Sequence, residues 1–146
     1  MATVITFQSE EIKFTLKEKI RHKTWLTKLA AKGNYSISEL NYIFCSDEYL
    51  HKVNLEYLNH DTYTDIITFD NSEDKKNKII EGDIFISIDR VKENASKFET
   101  NPDDELHRVM AHGLLHLMGY KDKSPKDTSL MREKEEESIE LYSRTK

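Results

Sequence analysis

Residues 111–122 read Ala-His-Gly-Leu-Leu-His-Leu-Met-Gly-Tyr-Lys-Asp, and no other stretch limits the chain's possible structures as tightly. His112 and His116 stand four positions apart. On a helix that spacing puts both imidazoles on one face, one turn from each other. Two such side chains can hold a single metal ion. Gly119 falls just past the last apolar turn. A glycine there supplies the positive φ that ends a helix. A chain that turns back at that point carries Asp122 toward the same ion. The expected metal and catalytic site is therefore His112, His116 and Asp122, with a fourth position open to water or substrate.

Two histidines on an apolar helix also occur as hydrogen-bonded core residues, so the pair alone decides little. The order H-x-x-x-H-x-x-G-x-x-D decides more. It is similar to the ligand spacing of metzincin proteases, H-E-x-x-H-x-x-G-x-x-H, with two changes. Asp122 stands where those proteases carry a third histidine, and a carboxylate is an acceptable zinc ligand. Gly113 stands where they carry the glutamate that works as general base, which disfavours peptide hydrolysis by their route.

The histidine helix has a clear start. Asn101 suits the N-cap, Pro102 the first helical position, and Asp103, Asp104 and Glu105 the positive end of the helix dipole. Leu106, Val109, Met110, Leu114, Leu115, Leu117 and Met118 surround most of its circumference, so the helix is expected to be buried. Gly113 costs such a helix about 1 kcal/mol relative to alanine, which predicts a close strand or substrate beside it. His107 lies five residues before His112, points away from the metal face and reads as structural.

Elsewhere, β-rich runs predict strands over 3–9, 36–45, 66–69 and 79–88. Phe14, Leu16, Ile20, Trp25, Leu26 and Leu29 recur at helical spacing and predict a helix over 13–31. Ser46 caps a helix over 47–57, Asp89 one reaching Phe98, and a last helix covers 126–143. Polar loops take 59–65, 71–77 and 121–127. The order β-α-β-α-β-β-α-α-α argues an α+β fold, or α/β with a mixed sheet, as one domain over 1–146.

Net charge is −5, which argues against a broad basic surface that would wrap nucleic acid, though not against a local basic cleft. Lys121, Lys123 and Lys126 flank Asp122 and either draw phosphates to the site or form a plain solvated loop. His60, Asp61 and Asp65 are candidates for an opposite wall, with His60 more simply a loop histidine. Asp65 and Asp83 sit at predicted strand starts, where turn bonds explain them. The run Glu133-Lys134-Glu135-Glu136-Glu137 reads as a solvated helix face. Cys45 is the only cysteine and follows an apolar run, so it is expected to be a buried small hydrophobe. A lone cysteine, no secretory leader pattern and no apolar run of membrane length point to the cytoplasm and to no membrane partner.

Three ordered motifs add a family resemblance. His112-Gly113-Leu114-Leu115-His116-Leu117-Met118-Gly119-Tyr120, Thr64-Asp65-Ile66-Ile67-Thr68-Phe69 and Gly82-Asp83-Ile84-Phe85-Ile86-Ser87 resemble the signatures of the bacterial YbeY endoribonucleases, the rRNA maturation factors. The likeness runs from about Leu55 to Glu137. It implies a mixed four-stranded sheet with about five helices, and a metal-dependent, single-strand-directed endoribonuclease. It also implies one Zn2+ or another divalent ion, and rRNA and the small ribosomal subunit as partners in 16S maturation and ribosome quality control. Two positions depart from the family pattern. Asp122 replaces the usual third histidine, which implies a His2Asp site, and Leu58 takes the place of an arginine before the D-x-P-T segment. His60 or a lysine near Asp122 is then left to supply positive charge. The competing functions are a metal-dependent hydrolase of another bond, including peptides, and a ribosome-associated module with a structural metal.

Overall fold

The histidine helix lies across a floor of four strands. The computed structural model describes residues 2–146. Its elements are β1 (Val4–Glu10), α1 (Lys19–Lys32), β2 (Ser36–Cys45), α2 (Asp47–Leu58), β3 (Ile66–Asp70), β4 (Ile79–Ser87), α3 (Ile88–Lys97), α4 (Pro102–Leu117) and α5 (Pro125–Arg144). The strands form one sheet in the order β1-β2-β4-β3. β1 and β4 run parallel to β2, and β3 runs antiparallel to β4. This is the expected α+β architecture with a mixed four-stranded sheet.

Strand periodicity decides which helices cover which face. Leu40, Tyr42 and Phe44 of β2 join Ile84 and Ile86 of β4 in a core shared with α1, α3, α4 and α5. The alternate residues Cys45, Ile67 and Phe85 pack with Leu50 and Val53 of α2 on the other face. Cys45 is buried, as expected, and burial pushes its thiol up to about 12. Beyond α2 that second face is polar. Thr6, Asn41 and Asp83 are neighbours across three strands, joined by side-chain bonds of 2.6 and 2.9 Å. Asp83 is thus mid-strand, not at a strand start, and its bonds run across the sheet.

Two helix starts differ from the sequence reading. The segment 11–18 is not helical, and α1 begins at Lys19. Glu11 and Glu18 both adopt positive φ, 54° and 53°, which interrupts a helix at each end of this segment. Phe14 and Leu16 still reach the core, but from an irregular segment, while Ile20 is 80% exposed. For α3 the cap is Ser87, whose Oγ accepts from the Arg90 N–H, and not Asp89. Asp89 instead accepts from the backbone N–H of Asp47 at 2.9 Å, tying α3 to the start of α2.

α4 follows its sequence closely. The Asn101 side chain accepts from the Asp103 N–H at 2.7 Å, and Pro102 opens the first turn. The buried Tyr42 hydroxyl donates to the Met110 carbonyl at 2.8 Å, fastening the helix to β2. Gly113 rests on the strands. A Cβ there would lie 2.9 Å from Ile84 Cδ1 and 3.1 Å from Ile66 Cδ1. A close strand is therefore the reason for the missing side chain.

His107 is structural, as its register predicted. Its Nε2 lies 3.1 Å from Nε2 of His22 on α1, and the Tyr142 ring of α5 packs against it, tilted by 34°, at 3.8 Å between ring centroids. Burial, then the charge it would share with His22 and Arg21, lowers His107 to about 3. An unfolded histidine titrates near 6.5, so between those values the unfolded chain binds a proton that the folded chain refuses. Stability is therefore whole above about pH 6.5 and falls below it, at about 1.4 kcal/mol per pH unit for this ring. Urea unfolding between pH 7 and 5 measures that slope, and His107→Gln is expected to flatten it.

Candidate metal centre

The three residues singled out in the sequence converge. His112 and His116 leave α4 on the same side, with ring centroids 4.6 Å apart. The helix then stops, Gly119 adopts φ +97°, and the Tyr120 N–H donates back to the Leu115 carbonyl at 3.0 Å. That reversal carries Asp122 back beside the histidines, where the Thr128 hydroxyl holds its carbonyl at 3.1 Å. Asp122 Oδ2 lies 3.4 Å from Nε2 of His112 and 3.4 Å from Nε2 of His116.

Those distances suit a shared ion. Ligands about 2.0–2.1 Å from a tetrahedral zinc stand about 3.3 Å from one another. The three donor atoms all lie within 4.8 Å of each other, so the donor set fits a divalent cation. The side chains are exposed on one side, Asp122 most of all at 42%. That leaves room for a further ligand.

Glu135 of α5 completes the arrangement. Its Oε2 accepts from His112 Nδ1 at 2.7 Å. That bond fixes the Nδ1–H tautomer and leaves the Nε2 lone pair directed at the cluster. Burial disfavours the charged ring of His112, but the bond and charge of Glu135 outweigh it and raise its pKa. Glu135 is pushed up by burial and pulled down further by His112 and Arg108, so it is held as a carboxylate. Arg108 of α4 donates to Glu135 at 3.2 Å and to Glu136 at 2.6 Å.

The expectation of a solvated face over 133–137 is therefore wrong at one position. Glu135 is only 6% exposed, while Glu133, Glu136 and Glu137 face solvent. Its spacing carried the signal. Met131, Glu135, Ser138 and Tyr142 recur at helical intervals and are the buried stripe of α5. Counting charge along the run hid the one residue that shares the register of the apolar positions.

The centre opens into a cleft of about 800 Å³. α4 and α5 form one wall, and Leu58, His60, Thr62 and Asp65 form the other, with Phe98 at the end of α3. Of the three candidates for that wall, His60 and Asp65 line the cleft, and Asp61 does not, pairing instead with His51 at 2.8 Å. Lys121, Lys123 and Lys126 are exposed but do not line the cleft. Its two arginines, Arg108 and Arg132, were not anticipated.

Comparison with known proteins now adds the lineage. The family model described as Endoribonuclease YbeY matches residues 4–143. The chain belongs to the YbeY family. Curated relatives named Endoribonuclease YbeY include one from Cytophaga hutchinsonii, 58% identical over 94% of this chain and 94% of its own. Another, from Christiangramia forsetii, is 50% identical over 94% of each. A solution structure of a Thermotoga maritima protein superposes with a TM-score of 0.65 at 27% identity, over 94% of this chain and 88% of that one. The three YbeY-like motifs fall on β3, β4 and α4 with its terminal turn; β3 and α4 line the cleft, and β4 supports α4 where Ile84 meets Gly113. The two departures from the YbeY pattern also meet there. Asp122 takes its place in the donor cluster, and Leu58 lines the facing wall. Among the described residues no helix is long and apolar enough to cross a membrane.

Proposed function

We propose that the chain is a metal-dependent endoribonuclease that cuts single-stranded RNA in this cleft. The reading extends to 16S rRNA of the small ribosomal subunit as substrate, in maturation and quality control, and to the cytoplasm as the place of action. The observation that carries it is the convergence of Nε2 of His112, Nε2 of His116 and Oδ2 of Asp122 at the head of an open cleft, in a chain of the YbeY family.

These three atoms would hold the ion, and zinc suits two imidazoles and a carboxylate. Such an ion, when bound, supplies Lewis acidity to a phosphoryl oxygen and makes a water more acidic. The chain supplies the rest. Glu135 keeps the proton of His112 on Nδ1 and so keeps Nε2 free to bind. Asp65 presents a carboxylate on the facing wall. RNA brings its own nucleophile, the 2′-OH, so the missing base at Gly113 is less damaging here than in a peptidase. The 42% exposure of Asp122 favours a working centre with an open position over a closed structural one.

Cleavage of a single-stranded RNA and of a generic peptide, each with and without chelator, tests this. RNA is expected to be cut, the cutting to stop with chelator, and the peptide to survive. Chelator-sensitive peptide cleavage with intact RNA would instead favour the hydrolase of another bond. Neither substrate cut, with metal retained, would favour the structural metal.

A further inference from the structure

The cleft has an unusual charge inventory for a nucleic-acid site. Five carboxylates line it against two arginines, so a phosphate strand entering it meets net repulsion away from the ion. Arg108 cannot relieve this. It is already spread over Glu105 at 3.6 Å, Glu135 at 3.2 Å and Glu136 at 2.6 Å, and its side chain is only 17% exposed.

Arg132 is differently placed. It lies one turn before Glu135 on α5, and its side chain is 62% exposed. Its ion pair, to Glu135 Oε1, is 3.6 Å long, beyond hydrogen-bond range. That oxygen is already taken by Arg108, and the other oxygen of Glu135 by His112. Glu135 does not depend on Arg132, and the guanidinium fork stays open to solvent in the cleft. A guanidinium is charged at every working pH and matches a phosphate with two parallel N–H bonds.

We propose that Arg132 is a phosphate-binding residue of the cleft, gripping a backbone phosphodiester of a single strand that lies along the His112–His116–Asp122 centre. This rests on the endoribonuclease reading for the kind of ligand, and only on the geometry of α5 for the place.

The test uses zinc-loaded protein and a fluorescent single-stranded oligoribonucleotide, 2′-O-methylated so that it cannot be cut. Affinity is measured by anisotropy over a range of potassium chloride. Arg132→Ala is expected to bind about tenfold more weakly. Its plot of log affinity against log salt is expected to be shallower by about 0.7, the loss of one phosphate contact to a single strand. Arg132→Lys restores the slope and part of the affinity, and Lys76→Ala, away from the cleft, changes neither. Bound zinc stays the same in all of them. Unchanged affinity and slope in Arg132→Ala overturns the proposal, as does a weakening fully accounted for by lost zinc, or a wild type that does not bind the strand. Cutting of the unmodified RNA is scored separately. A strand held through Arg132 yet left whole removes the endonuclease reading and keeps the phosphate site, and cut RNA with binding indifferent to Arg132 does the reverse.

Discussion

A His116→Ala protein is expected to lose its metal and its RNA cleavage together. Three side chains would hold the ion, and removing one leaves a His and an Asp that must compete with water for it. Metal content by elemental analysis should fall to a small remainder, and cleavage by about 10³-fold or more, since both the Lewis acid and the acidified water go with the ion. The fold should survive. His116 is half-buried at the cleft edge, and its carboxylate contact at 3.4 Å is with Asp122 alone. Thermal unfolding of the metal-free proteins should therefore differ little between His116→Ala and wild type. A variant that keeps a full equivalent of metal would show that the donor set has been misassigned.

Removing the group behind the ligand should be nearly as visible. Glu135→Ala leaves His112 Nδ1 without its acceptor and Arg108 with only one of its two buried carboxylate partners, Glu105. Losing such an outer carboxylate typically weakens metal binding by about 10–100-fold. An unsatisfied buried polar group costs about 1–3 kcal/mol besides. The variant should therefore bind metal more weakly in a competition with a chromophoric chelator, and unfold at lower temperature even when metal-free. Glu135→Gln separates the two effects. Its amide oxygen can still accept from Nδ1–H but its NH2 then faces Arg108, so stability should fall between Glu135→Ala and wild type, while loss of the charge still weakens the histidine as a ligand. Glu136→Gln, one residue on and 60% exposed, should bind metal like wild type. Equal affinity in Glu135→Ala would mean that His112 needs no help in presenting Nε2.

How much of this was legible in the sequence depends on whether a signal was local. The donor cluster was legible because helical spacing and a glycine stop are local facts, and together they place His112, His116 and Asp122 before any tertiary contact is known. The cap at Asn101 and the position of every strand were legible for the same reason. The start of α1 was not. Phe14 and Leu16 carry the apolar side chains of a helix, but whether they pack from a helix or an irregular segment is settled by backbone turns at Glu11 and Glu18, two residues with no sequence signature for positive φ. The burial of Glu135 was legible in its spacing with Met131, Ser138 and Tyr142, but its role was not, because its partner His112 lies 23 positions away on another helix. Arg132 was missed because nothing near it in the chain tells which side of α5 faces the cleft. The lysines beside Asp122 attracted attention by proximity in sequence, which a tight turn does not convert into proximity in space.

The contribution of α5 also sets an order of events. Ribosomes make chains from the N-terminus, so the donors on α4 and the turn leave the ribosome before the carboxylate that steadies His112. While α5 is still unmade, the imidazole can rotate and either nitrogen can carry its proton. The donor cluster is therefore steadied only once α5 has followed α4 off the ribosome and docked against it.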